Sequence, residues 1–136
     1  MKIWNGYGSE HSANLVMIGH FESAEGAATA VEKLNALRDQ ADEDEADKSS
    51  PSLFGAERYS EQMLRLLSKI KVHSLEPSEL QQFLLDISWK SEGDRVVITT
   101  EELEVSALLK VLLDEGARVE VFSAHVHKGS GYGRGE

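Results

Sequence analysis

Ile87-Ser88-Trp89-Lys90-Ser91-Glu92-Gly93-Asp94-Arg95-Val96-Val97-Ile98-Thr99-Thr100 is the stretch on which the architecture turns. Two runs of strand formers, Ile87 to Lys90 and Arg95 to Thr100, flank Ser91-Glu92-Gly93-Asp94, a turn-rich spacer of hairpin length. Downstream, Thr99 with Glu102 three residues on has the form of a capping box, and Leu103, Ala107, Leu108, Val111 and Leu112 continue a helix to Asp114. Gly116 ends that helix, because glycine takes the left-handed conformation at least cost. A last strand follows from Val119 to Val126.

Upstream of the hairpin the period is helical. Pro77 suits a first turn and opens a short helix from Ser78 to Leu85. Tyr59, Met63, Leu66, Leu67 and Ile70 form the stripe of a helix from Ala56 to about Val72, with Ile70 to Leu75 as a strand being the rival reading. Five carboxylates in the six positions Asp42 to Asp47, then Ser49-Ser50-Pro51, read as a solvated linker over 42–52. Before it, Ser23 caps a helix from Ala24 to about Gln40, and Leu15 to Phe21 is an apolar run expected as a central strand covered on both faces.

The order strand, helices, strand-turn-strand, helix, strand predicts an α+β domain. It is the split βαβ pattern of a ferredoxin-like sandwich, with one or two extra helices between helix 1 and the hairpin. One domain is expected over 1–128, with Gly129 to Glu136 as a flexible glycine-rich tail.

Composition narrows the partners. A formal charge of -10 repels phosphate backbones and anionic lipid, so neither nucleic acid nor a membrane is an expected partner. The longest apolar stretches, Leu15 to Ile18 and Leu108 to Leu113 with its lysine, fall short of the ~20 residues that span a bilayer. Met1 to Gly6 carries no export signal, and zero cysteines fit a reducing compartment, so the cytoplasm is the expected location.

In the predicted topology the first and last strands pair antiparallel, which sets Gly6 to His11 beside His125 to Arg134. Taking the third strand as parallel to the first adds the Glu92 to Arg95 turn to the same end. Tyr7, Ser9, Glu10, His11, Arg95, His125, His127, Tyr132 and Arg134 would then share one rim, with His11 within ~10 Å of His125 or His127. Imidazoles there could hold an anion or move a proton. His125 and His127 share a strand face as metal ligands do, yet no motif such as HExxH supports a metal, and none is expected. His20, at the far strand end, and His73 stand apart from this group.

The glycines of Gly129 to Gly133 open no helix, so they are not a dinucleotide fingerprint, and no cofactor is expected. No serine sits in a GxSxG elbow. Val16, Ile18, Val97, Val119 and Val121 are assigned to the sheet face away from the helices, an apolar surface that calls for a cover. The extra helices or a second copy of the chain would serve.

Lys2-Ile3-Trp4-Asn5-Gly6-Tyr7-Gly8-Ser9-Glu10-His11-Ser12, followed by Asn14-Leu15-Val16-Met17-Ile18-Gly19, resembles the start of a family of small uncharacterised bacterial proteins. That resemblance implies no activity and carries over no catalytic residue. The expected role is a small binding or regulatory domain that recognises a partner protein or small ligand at the rim. Two alternatives stand beside it: a small enzyme using His11, His125 or His127 as acid or base, and an acidic inhibitor or immunity-type protein acting through Asp42 to Asp47.

Overall fold

The computed structural model describes residues 14–47, 49 and 52–124. Strand β1 is Leu15–His20, and Ser23 caps the helix that follows by accepting from the Gly26 amide at 3.2 Å. Helix α1 is Ala24–Ala46 and buries Ala27, Ala30, Leu34, Leu37, Ala41 and Asp44 at helical spacing. It therefore runs well past Gln40, and Asp42 to Ala46 belongs to the helix and not to a linker. Repulsion among the carboxylates is offset because two of them are taken up by the returning chain. Asp44 accepts from Gln40 Nε2 at 2.9 Å and Ser60 Oγ at 2.8 Å, and Glu45 accepts from the Leu53 amide at 2.9 Å and Ser52 Oγ at 3.1 Å.

Ser60 also caps α2, Glu61–Ile70, accepting from the Met63 amide at 2.9 Å, which starts this helix later than Ala56. The stretch from Val72 to Leu75 is an irregular connection whose ends are buried, not a strand. Pro77–Leu84 forms a 3-10 helix, then β2, Ile87–Glu92, and β3, Arg95–Thr100, make the hairpin. Its tight turn sets Gly93 at φ 60°, a conformation open to glycine without strain. Thr99 lies inside β3 and caps no described helix. Thr100 Oγ1 instead accepts from the Glu102 amide at 3.0 Å, and α3 begins only at Ser106 and ends at Asp114. No side chain of its own caps α3; Gln82 Oε1, from the 3-10 helix, accepts from the Ala107 amide at 2.7 Å. Gly116, at φ 89°, leads into β4, Arg118–Ser123.

The strands form one sheet in the order β2-β3-β1-β4, with every neighbouring pair antiparallel. The described chain is thus α+β: a four-stranded antiparallel sheet with α1, α2, the 3-10 helix and α3. Directly opposed residues of antiparallel strands share a face, so Met17, Ile98, Trp89 and Val121 lie on one side. That side meets the helices. Arg38 of α1 stacks 3.7 Å from the Trp89 ring centre, Asn35 Oδ1 accepts from Trp89 Nε1 at 2.8 Å, and Met17, Val96 and Ile98 join Leu34, Leu37, Leu80, Phe83, Leu108 and Leu112 in the core.

Two expectations about the sheet are corrected. Because β3 runs antiparallel to β1, Arg95 pairs with His20, at the opposite end from Leu15. Val119 and Val121 lie on the helix side, so of the four valines and one isoleucine only Val16, Ile18 and Val97 belong to the face away from the helices.

Candidate functional site

The face away from the helices consists of three rows across β2, β3, β1 and β4: Ser88, Thr99, Val16 and Phe122; then Lys90, Val97, Ile18 and Glu120; then Glu92, Arg95, His20 and Arg118. Val16 is buried, Ile18 and Val97 are half-buried, and Phe122 is 41% exposed. An apolar strip thus crosses the middle of the face and gives way to charge at the third row. Lys90, Arg95 and Arg118 face two carboxylates, Glu92 and Glu120, which reverses the sign of a chain that carries -10 overall. Lys90 Nζ lies 2.9 Å from Glu92 and holds that carboxyl below its ordinary range, with Arg95, 3.3 Å away, adding to the effect.

At the end of this face a hollow of about 350 Å³ is lined by His20, Arg118, Val119 and Glu120. His20 Nε2 lies 2.6 Å from Glu120 Oε1. Arg118 makes no hydrogen bond or ion pair to any described residue. The outer edge of β4 is unpaired among the described residues, and Val121 and Phe122 expose apolar surface on its two faces at 47% and 41%. The other edge strand, β2, is shielded in the usual way by the charges of Lys90 and Glu92.

A larger hollow, about 650 Å³, lies against Asp44 and the loop from Ser52 to Ser60. Several of its polar side chains are engaged: Asp44 with Gln40 and Ser60, Ser52 with Glu45, and the Tyr59 hydroxyl donating to the Leu75 carbonyl. A second charged cluster joins the 3-10 helix to α3. Glu79 accepts from Ser106 Oγ at 2.6 Å, from Lys110 Nζ at 2.6 Å and from the Glu76 amide at 2.9 Å. Burial alone would push the Glu79 carboxyl up, but the bonds from Lys110, Ser106 and the Glu76 amide outweigh it and hold the group below its usual range. The bond to Glu79 raises Lys110 correspondingly. With Gln82 capping α3 beside it, this cluster is a structural clamp.

Of the residues expected at the rim, Tyr7, Ser9, Glu10, His11, His125, His127, Tyr132 and Arg134 lie outside the described residues. The antiparallel pairing of the first and last strands is present: Leu15 opposes Ser123, and the Ala124 amide donates to the Asn14 carbonyl at 2.7 Å. Arg95 is at the other end and meets His20, which the sequence reading had set apart. His20 and Arg118 were missed although parity could have found them: once β1 opposes both β3 and β4, the charged last residue of one and the first residues of the others fall in one row. No group of three or more His, Asp or Glu able to hold a metal occurs among the described residues. No described helix is long and apolar enough to cross a membrane.

A family model described as a family of unknown function (DUF6375) matches residues 1–134. No curated protein and no solved structure matches the chain.

Proposed function

The chain belongs to DUF6375, and since membership assigns no activity, we propose from the geometry that it is a small binding domain whose sheet face away from the helices docks an acidic partner protein. The observation that carries this reading is Phe122, a large apolar side chain left 41% exposed at the end of a strip whose flanks are net positive. Anchors of this kind, an aromatic beside cationic groups, supply most of the affinity of protein interfaces. Charge favours a foreign acidic surface over a second copy, because two copies would set like-charged faces against each other. The strand order β2-β3-β1-β4, with the described helices on one side, supports a ferredoxin-like arrangement. The cysteine-free composition supports a cytoplasmic setting.

The test is site-directed photocrosslinking in the native host. A photoreactive side chain at Val97 should give a discrete adduct with an acidic protein, whereas the same group at Glu32, exposed on α1, should not. Phe122→Asp should weaken the complex by about tenfold or more, the loss typical of a buried interface aromatic, without disturbing the fold. Adducts at Glu32 but not Val97 would remove the sheet face from consideration. A dimer in sedimentation that Ile18→Lys dissociates would replace the acidic partner with a second copy.

A further inference from the structure

We propose that Arg95, His20 and Arg118 form a seat for a phosphate group at the end of the sheet, with the Glu120 carboxylate as an internal occupant that the ligand displaces. The inference extends the docking face described above but needs only this row of residues.

Two register pairs make the seat. His20 opposes Arg95 on β3 and Arg118 on β4, so three nitrogen-bearing side chains from three strands stand side by side on one face. Opposed residues in antiparallel strands have Cβ atoms roughly 4.5–5.5 Å apart, a span over which adjacent side chains can converge on one tetrahedral anion. The hollow of about 350 Å³ beside His20 and Arg118 supplies the volume. It lies against β4, whose outer edge is unpaired among the described residues.

The site already holds an oxyanion of its own. Glu120 Oε1 sits 2.6 Å from His20 Nε2, while the Glu120 side chain is 64% exposed and tied to nothing else among the described residues. A single carboxylate satisfies the imidazole but leaves the Arg118 guanidinium without a partner among the described residues. Arg95, for its part, shares Glu92 with Lys90 at 3.3 and 2.9 Å. Two guanidinium forks and an imidazole offer more donors than one carboxylate can accept, and they match a tetrahedral dianion, which takes bidentate contacts from arginine. Phosphate is therefore favoured over a carboxylate ligand. Swinging Glu120 into solvent costs little, because exposed ion pairs contribute little.

Titration of the ¹⁵N-labelled protein with inorganic phosphate, with chloride adjusted to keep ionic strength constant, tests this directly. Saturable shifts should centre on His20, Arg95, Arg118 and Glu120, with a dissociation constant on the order of 1 mM, as two or three charge-assisted contacts imply. Arg118→Gln should weaken binding about tenfold or more. Glu120→Gln should tighten it severalfold by removing the competing carboxylate, and acetate should bind more weakly than phosphate. Both substituted positions are exposed, so spectra elsewhere should be unchanged. Linear, non-saturating shifts would overturn the proposal, as would equal affinity in Arg118→Gln or weaker binding in Glu120→Gln. Failure here with retained crosslinking at Val97 would leave the docking face standing without its phosphate seat.

Discussion

Replacing Phe83 with alanine is expected to lower the melting temperature by roughly 10 to 17 °C, the loss that follows from about 3 to 5 kcal/mol in a domain of this size. Phe83 is 1% exposed and lies on the 3-10 helix, in one core cluster with Leu34 and Leu37 of α1, Ile98 of β3 and Leu108 of α3. A short 3-10 segment has poor hydrogen-bond geometry and holds its place chiefly through what it buries. Truncating Phe83 both removes apolar contact and opens a cavity between layers that cannot collapse onto it. Against a total stability of roughly 7 to 20 kcal/mol for a domain of this length, the loss is a large fraction. Phe83→Leu should cost much less, near 1 kcal/mol, because most of the volume remains. Circular dichroism melts of the three proteins decide it. A fall under about 4 °C for the alanine variant would mean that the 3-10 helix is not an integral wall of the core.

What the sequence made legible was local chemistry. Ser23 caps α1, the Gly93-Asp94 turn makes the hairpin and Gly116 ends α3, because each feature is written within a few residues of where it acts. The reading failed where the deciding partner is distant in sequence. Asp44 and Glu45 look like a repelling run until Ser52, Leu53 and Ser60 return to take their oxygens. Thr99 looks like a cap until its place inside β3 is known, and Gln82 then serves α3 from another helix. The candidate site moved for the same reason. A strand carries no mark of its direction, so one wrong orientation for β3 sent Arg95 to the wrong end of the sheet and left His20 without companions.

The charge of the chain acquires a different meaning once these partners are known. Part of the acidic run is internal structure, with Asp44 only 7% exposed and Glu45 holding the loop backbone. An acidic lure would have to rely on the carboxylates left over. The sheet face, in contrast, gathers three cations and two carboxylates around an apolar strip, and among the described residues only there do net positive charge, exposed aromatic surface and an unpaired strand edge coincide. Convergence of independent features on one surface is what separates a docking face from scattered exposed side chains.

Glu79→Ala should destabilise the fold by about 2 to 4 kcal/mol at neutral pH, some 7 to 14 °C in melting temperature. Glu79 is 9% exposed and accepts three hydrogen bonds, so its removal takes an acceptor from the Ser106 hydroxyl, the Lys110 ammonium and the Glu76 amide together, leaving Lys110 only the Ser74 carbonyl at 2.9 Å. The pH dependence separates this from simple loss of packing. Because the folded-state carboxyl is held below its ordinary value, its stabilisation is present above the unfolded carboxylate pKa, about 4.3, and is lost as pH falls through the folded value. Lys110 has the opposite sign: its raised folded-state value means that its contribution is present below the ordinary lysine pKa and is lost as pH rises through the folded value. Glu79→Gln keeps the shape but abolishes both couplings, so the gap in urea stability between it and the unsubstituted protein should be widest between roughly pH 5 and 9. It should narrow as the pH drops below about 4. An unchanged gap at pH 3 and pH 7 would show that Glu79 acts by filling space, and that the clamp between the 3-10 helix and α3 does not depend on its charge.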